Sequence, residues 1–241
     1  MNFVKMQGCG NSFLFFDLRF GGDGQSIVRR CRQLCHHKLG AGGDGVVLLL
    51  PHESSFCAME IYNADGSRAS ICGNALRCAG SLFFESLPFF IHTDIGPVWL
   101  QNRGGRVWVQ LPPARQIKPL GKNDALVNVG NRHLVSFLPR LTGSEVQRRA
   151  KWAKGRDINF MAVRPLGENV YKMRCFERGC GETAGCGSGA CAAAEAAILT
   201  GRATGDEALR FLCRGGVLQV QKDTRGLWLA GDCQVCFYGK F

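Results

Sequence analysis

The sequence predicts a duplicated two-domain protein of the α+β or α/β class, and three observations carry that expectation. One motif occurs twice, 114 residues apart (186 minus 72). Cys72-Gly73-Asn74 leads into a helical pattern containing Cys78, and Cys186-Gly187-Ser188 leads into an alanine-rich one containing Cys191. With no gap, Asn63 falls opposite Glu177, each nine residues before its cysteine. Pro112-Pro113 stands near the middle of the chain. On both sides of it short strand-like runs alternate with a few helical patterns.

Taken in order, residues 13–19 and 46–50 are apolar runs bounded by glycine and read as buried strands. Residues 26–38 read as a helix capped by Ser26, with Ile27, Cys31, Leu34 and Cys35 on one face. Residues 57–62 form a strand ending at the Asn63-Ala64-Asp65-Gly66 turn. The first motif helix covers 73–85 and stops at Leu87-Pro88. Residues 99–101 and 106–111 pair as a hairpin closed by Asn102-Arg103-Gly104-Gly105. The second half repeats the order. Residues 125–138 contain Gly130-Asn131-Arg132-His133, and 144–154 form an amphipathic helix with Ser144 as its cap. Strands over 158–164 and 169–176 precede the second motif helix, and strand-like runs at 209–213, 216–221 and 227–237 close the chain. The domains are therefore placed at 1–113, carrying Cys72, and 114–241, carrying Cys186, with the last strand free to pack back on the first domain.

Composition narrows the function. A chain of 241 residues, 46% hydrophobic and 20% charged, matches a soluble globular protein. No run approaches the ~20 apolar residues of a membrane span, and the apolar run 13–16 is too short for a secretion signal. A cytoplasmic protein is expected, with no membrane partner. Thirteen cysteines without a secretion signal do not read as a disulfide scaffold. Cys175, Cys180, Cys186 and Cys191 lack the short pairs of a zinc site, so no metal is expected. The net charge of +11 lies in scattered residues and short clusters, which argues for acidic metabolites and against nucleic acid.

The chemistry follows from the paired motif. A thiol at a helix start feels the positive end of the macrodipole, which favours its thiolate. Two such thiols suit removal and replacement of a proton on opposite faces of one carbon, which is racemisation or epimerisation. Backbone N–H groups of Gly73, Asn74, Gly187 and Ser188 would stabilise charge developing on a substrate carboxylate. His133 and Glu177 are candidates to tune a thiol, and Arg178 to clamp a carboxylate. Asn11, Asn63, Asn131 and Asn159 are candidate contacts to amino and carboxylate groups. A structural reading stands beside each: Asn11 and Asn63 lie in glycine-rich turns, where asparagine serves the backbone.

These residues resemble the diaminopimelate epimerase family of two-cysteine enzymes that work without pyridoxal phosphate. The resemblance runs from Lys5-Met6-Gln7-Gly8-Cys9-Gly10-Asn11 through Asn63-Ala64-Asp65-Gly66-Ser67 and Cys72-Gly73-Asn74. It continues through Gly130-Asn131-Arg132-His133 and Ile158-Asn159-Phe160, then from Glu177-Arg178-Gly179 to Cys186-Gly187-Ser188-Gly189. It implies an α+β fold of two pseudo-symmetric domains, each a mixed β-sheet rolled into a barrel around a central α-helix, with substrate between them. It implies Cys72 and Cys186 as the catalytic bases, with His133 and Glu177 assisting. Asn11, Asn63, Asn131, Asn159, Glu177, Arg178 and the Gly73-Asn74 and Gly187-Ser188 backbones would bind substrate. No cofactor is expected, and a homodimer is. The implied reaction interconverts LL- and meso-diaminopimelate for lysine and peptidoglycan synthesis. Departures include Gly45, where the family usually has glutamine, Arg132 in place of proline, and Gly185 and Ser188 beside Cys186 in place of alanine and threonine. The glycine motivates a second expectation, a glutamate or broad-specificity racemase of the same mechanism. A cysteine-rich redox or metal protein and a basic nucleic-acid-binding module are the readings from other classes.

Overall fold

The computed structural model describes every residue from Met1 to Phe241. Strands β1 (Asn2–Gly8) and β2 (Asn11–Asp17) open the chain as a hairpin turned at Cys9-Gly10, both at positive φ. The apolar run Phe13-Leu14-Phe15-Phe16 is buried throughout, as a strand inside a sheet requires. Two short helices follow, α1 (Gly24–Arg29) and α2 (Cys31–Cys35), instead of the single helix expected over 26–38. Arg30 departs from helical geometry between them. The cap is Asp23, whose carboxylate accepts the Ser26 N–H at 3.0 Å, so Ser26 sits inside the first turn. Next come β3 (Gly45–Leu50), β4 (Cys57–Asn63), the two-residue β5 (Arg68–Ala69) and α3 (Gly73–Leu82). One 3₁₀ turn at Phe84–Ser86 completes the segment expected to be helix to 85. β6 (Phe89–Thr93), β7 (Gly96–Arg103) and β8 (Arg106–Leu111) follow, the last two forming the expected hairpin.

The second half contains β9 (Gln116–Pro119), β10 (Asp124–Asn128), β11 (Arg132–Phe137), α4 (Ser144–Lys154), β12 (Asn159–Gly167) and β13 (Val170–Glu177). It continues with β14 (Gly181–Thr183), α5 (Gly187–Leu199), β15 (Leu209–Cys213), β16 (Gly216–Asp223) and β17 (Gly226–Gly231). Gly143, at φ 93°, is the N-cap of α4, and no side chain caps it, contrary to the role expected of Ser144. The run 227–237 divides at Asp232 into β17 and β18 (Cys233–Lys240), and β18 pairs antiparallel with β1. By its contacts the chain separates into two units, Met1–Val109 with Cys233–Phe241, and Gln110–Asp232.

Each unit holds a mixed sheet. In the first, neighbours run β18-β1-β2-β3-β4-β6-β7-β8, with β5 also on β4. In the second they run β9-β10-β11-β12-β13-β15-β16-β17, with β14 also on β13. The parallel pairs match as well: β2–β3 and β4–β6 in one unit, β11–β12 and β13–β15 in the other. The fold is therefore α+β with two pseudo-symmetric halves.

A helix sits at the centre of each sheet. α3 packs against β1, β7 and β18, and α5 packs against β9 to β12, β16 and β17. From Gly187 to Ala197 every residue of α5 except Ser188 is buried, which explains its composition of glycine and alanine. At Gly189 a Cβ would run into the Met161 sulfur, so the helix lies as close to β12 as a bare backbone allows. One charge interrupts this core: buried Glu195 meets Lys222 Nζ of β16 at 2.9 Å. No helix is long and apolar enough to cross a membrane.

Candidate active site

Cys186 stands at the N-cap of α5 with extended backbone (φ −129°, ψ 115°), and its Sγ accepts the Gly189 N–H at 3.3 Å. β13 ends at Glu177, whose carboxylate accepts the Cys186 thiol proton at 3.0 Å and the Thr183 hydroxyl at 2.5 Å. Thr183 thereby aims the carboxylate, a role its sequence position did not reveal. Burial pushes the Cys186 thiol well above its ordinary pKa, and Glu177 beside it adds to the rise. The Ser188 hydroxyl and the Gly189 N–H oppose the rise and lose. The helix-end field supplies about 0.3–1 kcal/mol, whereas full burial of an acid shifts its pKa by up to ~3–5 units. Cys186 is thus a thiol at neutral pH, and the expectation that the helix end favours its thiolate is reversed.

His133, on β11, stands behind Ser188. Its Nδ1 meets the Asn131 carbonyl at 3.0 Å, an acceptor only, so Nδ1 carries the proton and Nε2 accepts. Nε2 receives the Ser188 hydroxyl at 3.2 Å and the Asn159 amide at 3.3 Å. Ser188 Oγ is 3.4 Å from Cys186 Sγ, so His133 reaches the thiol through the serine rather than touching it. Burial lowers the imidazole pKa to about 4, which keeps it neutral at pH 7. Asn159 joins β12 to this network: it faces His133 in the parallel register, and its Oδ1 accepts the Arg178 N–H at 2.8 Å. Each end of that amide makes one bond within the protein, which leaves its second N–H for a ligand.

The Arg178 guanidinium is exposed and pairs with Asp157 at 2.7 Å. Asn131, Asn159 and Arg178, with Arg132 and Asp157, line a cavity of about 280 Å³ in this unit. Its amide and guanidinium donors fit a carboxylate, and Asp157 offers the one acidic group on the wall. At the floor of the helix, the N–H groups of Gly187 and Ser188 are first-turn donors with no intrahelical acceptor.

The other motif repeats the backbone and not the surroundings. Cys72 caps α3 with φ −142° and ψ 112°, and it is partly exposed where Cys186 is buried. Each cysteine carbonyl accepts a first-turn bond, from Leu76 at 3.0 Å and from Ala190 at 2.9 Å. Gly73 and Asn74 N–H groups stand as Gly187 and Ser188 do. Adding 114 to Gly45, Asn63 and Cys72 gives Asn159, Glu177 and Cys186, and the strands agree: Asn63 ends β4 as Glu177 ends β13. Asn63 turns its amide to Ser67 Oγ at 2.9 Å, inside its own turn. Asn11 is half-buried opposite Gly8, and the adjoining Ser12 N–H is held by the Asp44 carboxylate at 2.7 Å. A Cβ on Gly45 would strike the Tyr62 carbonyl oxygen, so the strand has closed over the place where a side chain would begin. Asn74 is buried and its Oδ1 accepts from Arg77 at 2.8 Å. Nothing in the sequence singles out Arg77, since a lone arginine in a helix reads as solvent-facing.

A family model described as diaminopimelate epimerase matches residues 3–106 and 120–234. The chain is 33% identical over 242 residues to the diaminopimelate epimerase of Moorella thermoacetica, covering 84% of this chain and 85% of that protein. It is 28% identical over 281 residues to the diaminopimelate epimerase of Pelotomaculum thermopropionicum, covering 100% and 99%. In fold it is similar to a phenazine biosynthesis protein of the PhzF family from Bacillus anthracis. That likeness has a TM-score of 0.73 at 14% identity, over 99% of this chain and 98% of that one.

Proposed function

Because the chain belongs to the diaminopimelate epimerase family, we propose that this isomerase interconverts LL- and meso-diaminopimelate by two-base proton transfer at the α-carbon. Cys72 and Cys186 are the two bases. A thiolate takes the α-proton, the other thiol returns one to the opposite face, and the roles exchange in the reverse direction. The observation that carries this reading is the pair of cysteines at helix N-caps with matching backbone, each followed by first-turn N–H donors. Those donors at Gly73, Asn74, Gly187 and Ser188 stabilise the charge that builds on the α-carboxylate. Asn11, Asn63, Asn131, Asn159 and Arg178 hold the substrate's amino and carboxylate groups.

Glu177 and Ser188 serve the two states of Cys186. While the sulfur is protonated its proton rests on Glu177. When the proton leaves, the Ser188 hydroxyl turns from His133 to the sulfur, 3.4 Å away, and joins the Gly189 N–H as a donor to the thiolate. Neutral His133 receives that hydroxyl again afterwards. The same reading makes the protein a cytoplasmic homodimer that needs no pyridoxal phosphate and acts in lysine and peptidoglycan synthesis.

Gly45 favours a second reading, a glutamate or broad-specificity racemase with the same thiols, since no side chain extends from that position. Purified protein, supplied with LL-diaminopimelate or L-glutamate and no cofactor, distinguishes the two by chiral chromatography of the products. Conversion of diaminopimelate alone supports the first reading. Comparable conversion of glutamate supports the second, and conversion of neither contradicts both.

A further inference from the structure

Arg77, in the first turns of α3, is wholly buried, at 0% exposure. Its Nη1 donates to the Gly73 carbonyl at 3.2 Å and Nη2 to Asn74 Oδ1 at 2.8 Å, while Nε–H meets no acceptor. Both acceptors are neutral. The helix itself contains no aspartate or glutamate, and neither do β1, β7 and β18, the strands packed on it. The charged residues of those strands are Lys5, Arg103 and Lys240, all cations. A guanidinium cannot shed its proton, and an uncompensated buried charge costs several kcal/mol. A cation beside a helix N-terminus also opposes the macrodipole. The chain bears these costs at the helix start that carries Cys72.

The second unit is built the opposite way. The position equivalent to Arg77 is neutral Cys191 (77 plus 114), and the anion Glu177 accepts the Cys186 proton. The helix start that carries Cys72 therefore holds a buried cation whose hydrogen-bond acceptors are neutral, whereas Cys186 neighbours a carboxylate.

We propose that Arg77 is a positioning residue that fixes the first turn of α3 through Gly73 and Asn74 and holds Cys72 as the thiolate of the resting enzyme, leaving Cys186 as the thiol. This rests on the two-cysteine reading above. From rest, the Cα–H bond breaks as an S–H bond forms at Cys72, and the Cys186 S–H bond breaks as a new Cα–H bond forms. The turnover ends with Cys72 a thiol and Cys186 a thiolate, the starting state for the reverse reaction. The anion that answers Arg77 is then the Cys72 sulfur at rest and the substrate carboxylate at the Gly73 and Asn74 N–H groups during turnover.

The test needs no substrate, so its failure leaves the epimerase reading untouched. Wild type, Arg77→Met and Arg77→Lys are treated with iodoacetamide at neutral pH, and alkylation at Cys72 and Cys186 is timed by peptide mass. Arg77→Met is expected to slow Cys72 by about three- to fivefold, the loss of thiolate when its pKa rises by about one unit through neutral pH, with Cys186 unchanged and Arg77→Lys restoring most of the rate. An unchanged Cys72 rate, or equal slowing of both thiols, overturns the proposal. The thiolate ultraviolet absorbance of wild type, compared with Cys72→Ala and Cys186→Ala, is a second reading that no folding defect at position 77 affects. It must fall in Cys72→Ala and not in Cys186→Ala, and the reverse pattern overturns the proposal.

Discussion

A thiol that gives its hydrogen bond to a carboxylate is a poor base until the carboxylate or the proton moves, and Cys186 is in that position. Glu177→Gln removes the negative charge that helps to raise the Cys186 pKa. The variant is expected to alkylate faster at Cys186 and to turn over about 10²-fold more slowly, the scale of losing one acid/base group. Unchanged alkylation contradicts the assigned contact. His133 makes a separate prediction. Its pKa is lowered to about 4 from 6.5, so the folded state binds fewer protons than the unfolded chain between those values. The stability from keeping it neutral is complete above pH 6.5 and is lost as pH falls toward 4, by about 2 kcal/mol between pH 7 and pH 5. Urea midpoints at those two pH values should show that loss, and His133→Asn should remove most of it. Cys186, Glu177 and His133 were legible in the sequence because each sits in a motif of small and polar residues. Thr183, the serine relay and Arg77 were not, since their roles depend on which side chains three-dimensional packing turns inward.

The elements carry their own test at the β3–β4 pair, where Gly45 faces Asn63. A glutamine at position 45 puts a Cβ into the Tyr62 carbonyl oxygen, which belongs to the backbone and cannot swing aside. Gly45→Gln is expected to destabilise the protein by about 1–3 kcal/mol, the range for overpacking, seen as a lower urea midpoint. A variant as stable as wild type would mean that the strand yields at little cost. The buried strands at 46–50 and 57–62 and the hairpin at 104–105 were legible because apolar runs and glycine turns are local signals. β1, β6 and β9 escaped notice because they mix polar and apolar residues in short runs. The break at Arg30 and the Asp23 and Gly143 caps escaped for a related reason: several nearby residues offer a plausible cap, and tertiary packing chooses among them.

At the scale of the molecule, the duplication was visible in two cysteine motifs at a fixed offset, and the sheets now show it strand by strand. The return of β18 to β1 was open in the sequence, because a pairing across more than 200 residues leaves no local periodicity. The copies have kept their backbones and changed their charges, a partly buried carboxylate contact in one and a buried guanidinium in the other. The proposed two-base mechanism requires both thiols. Wild type, Cys72→Ala and Cys186→Ala are incubated with LL-diaminopimelate in D2O without pyridoxal phosphate, and deuterium at the α-carbon is followed together with inversion. Exchange with inversion is expected in wild type, and loss of inversion in both variants. Full inversion by either variant would contradict that mechanism.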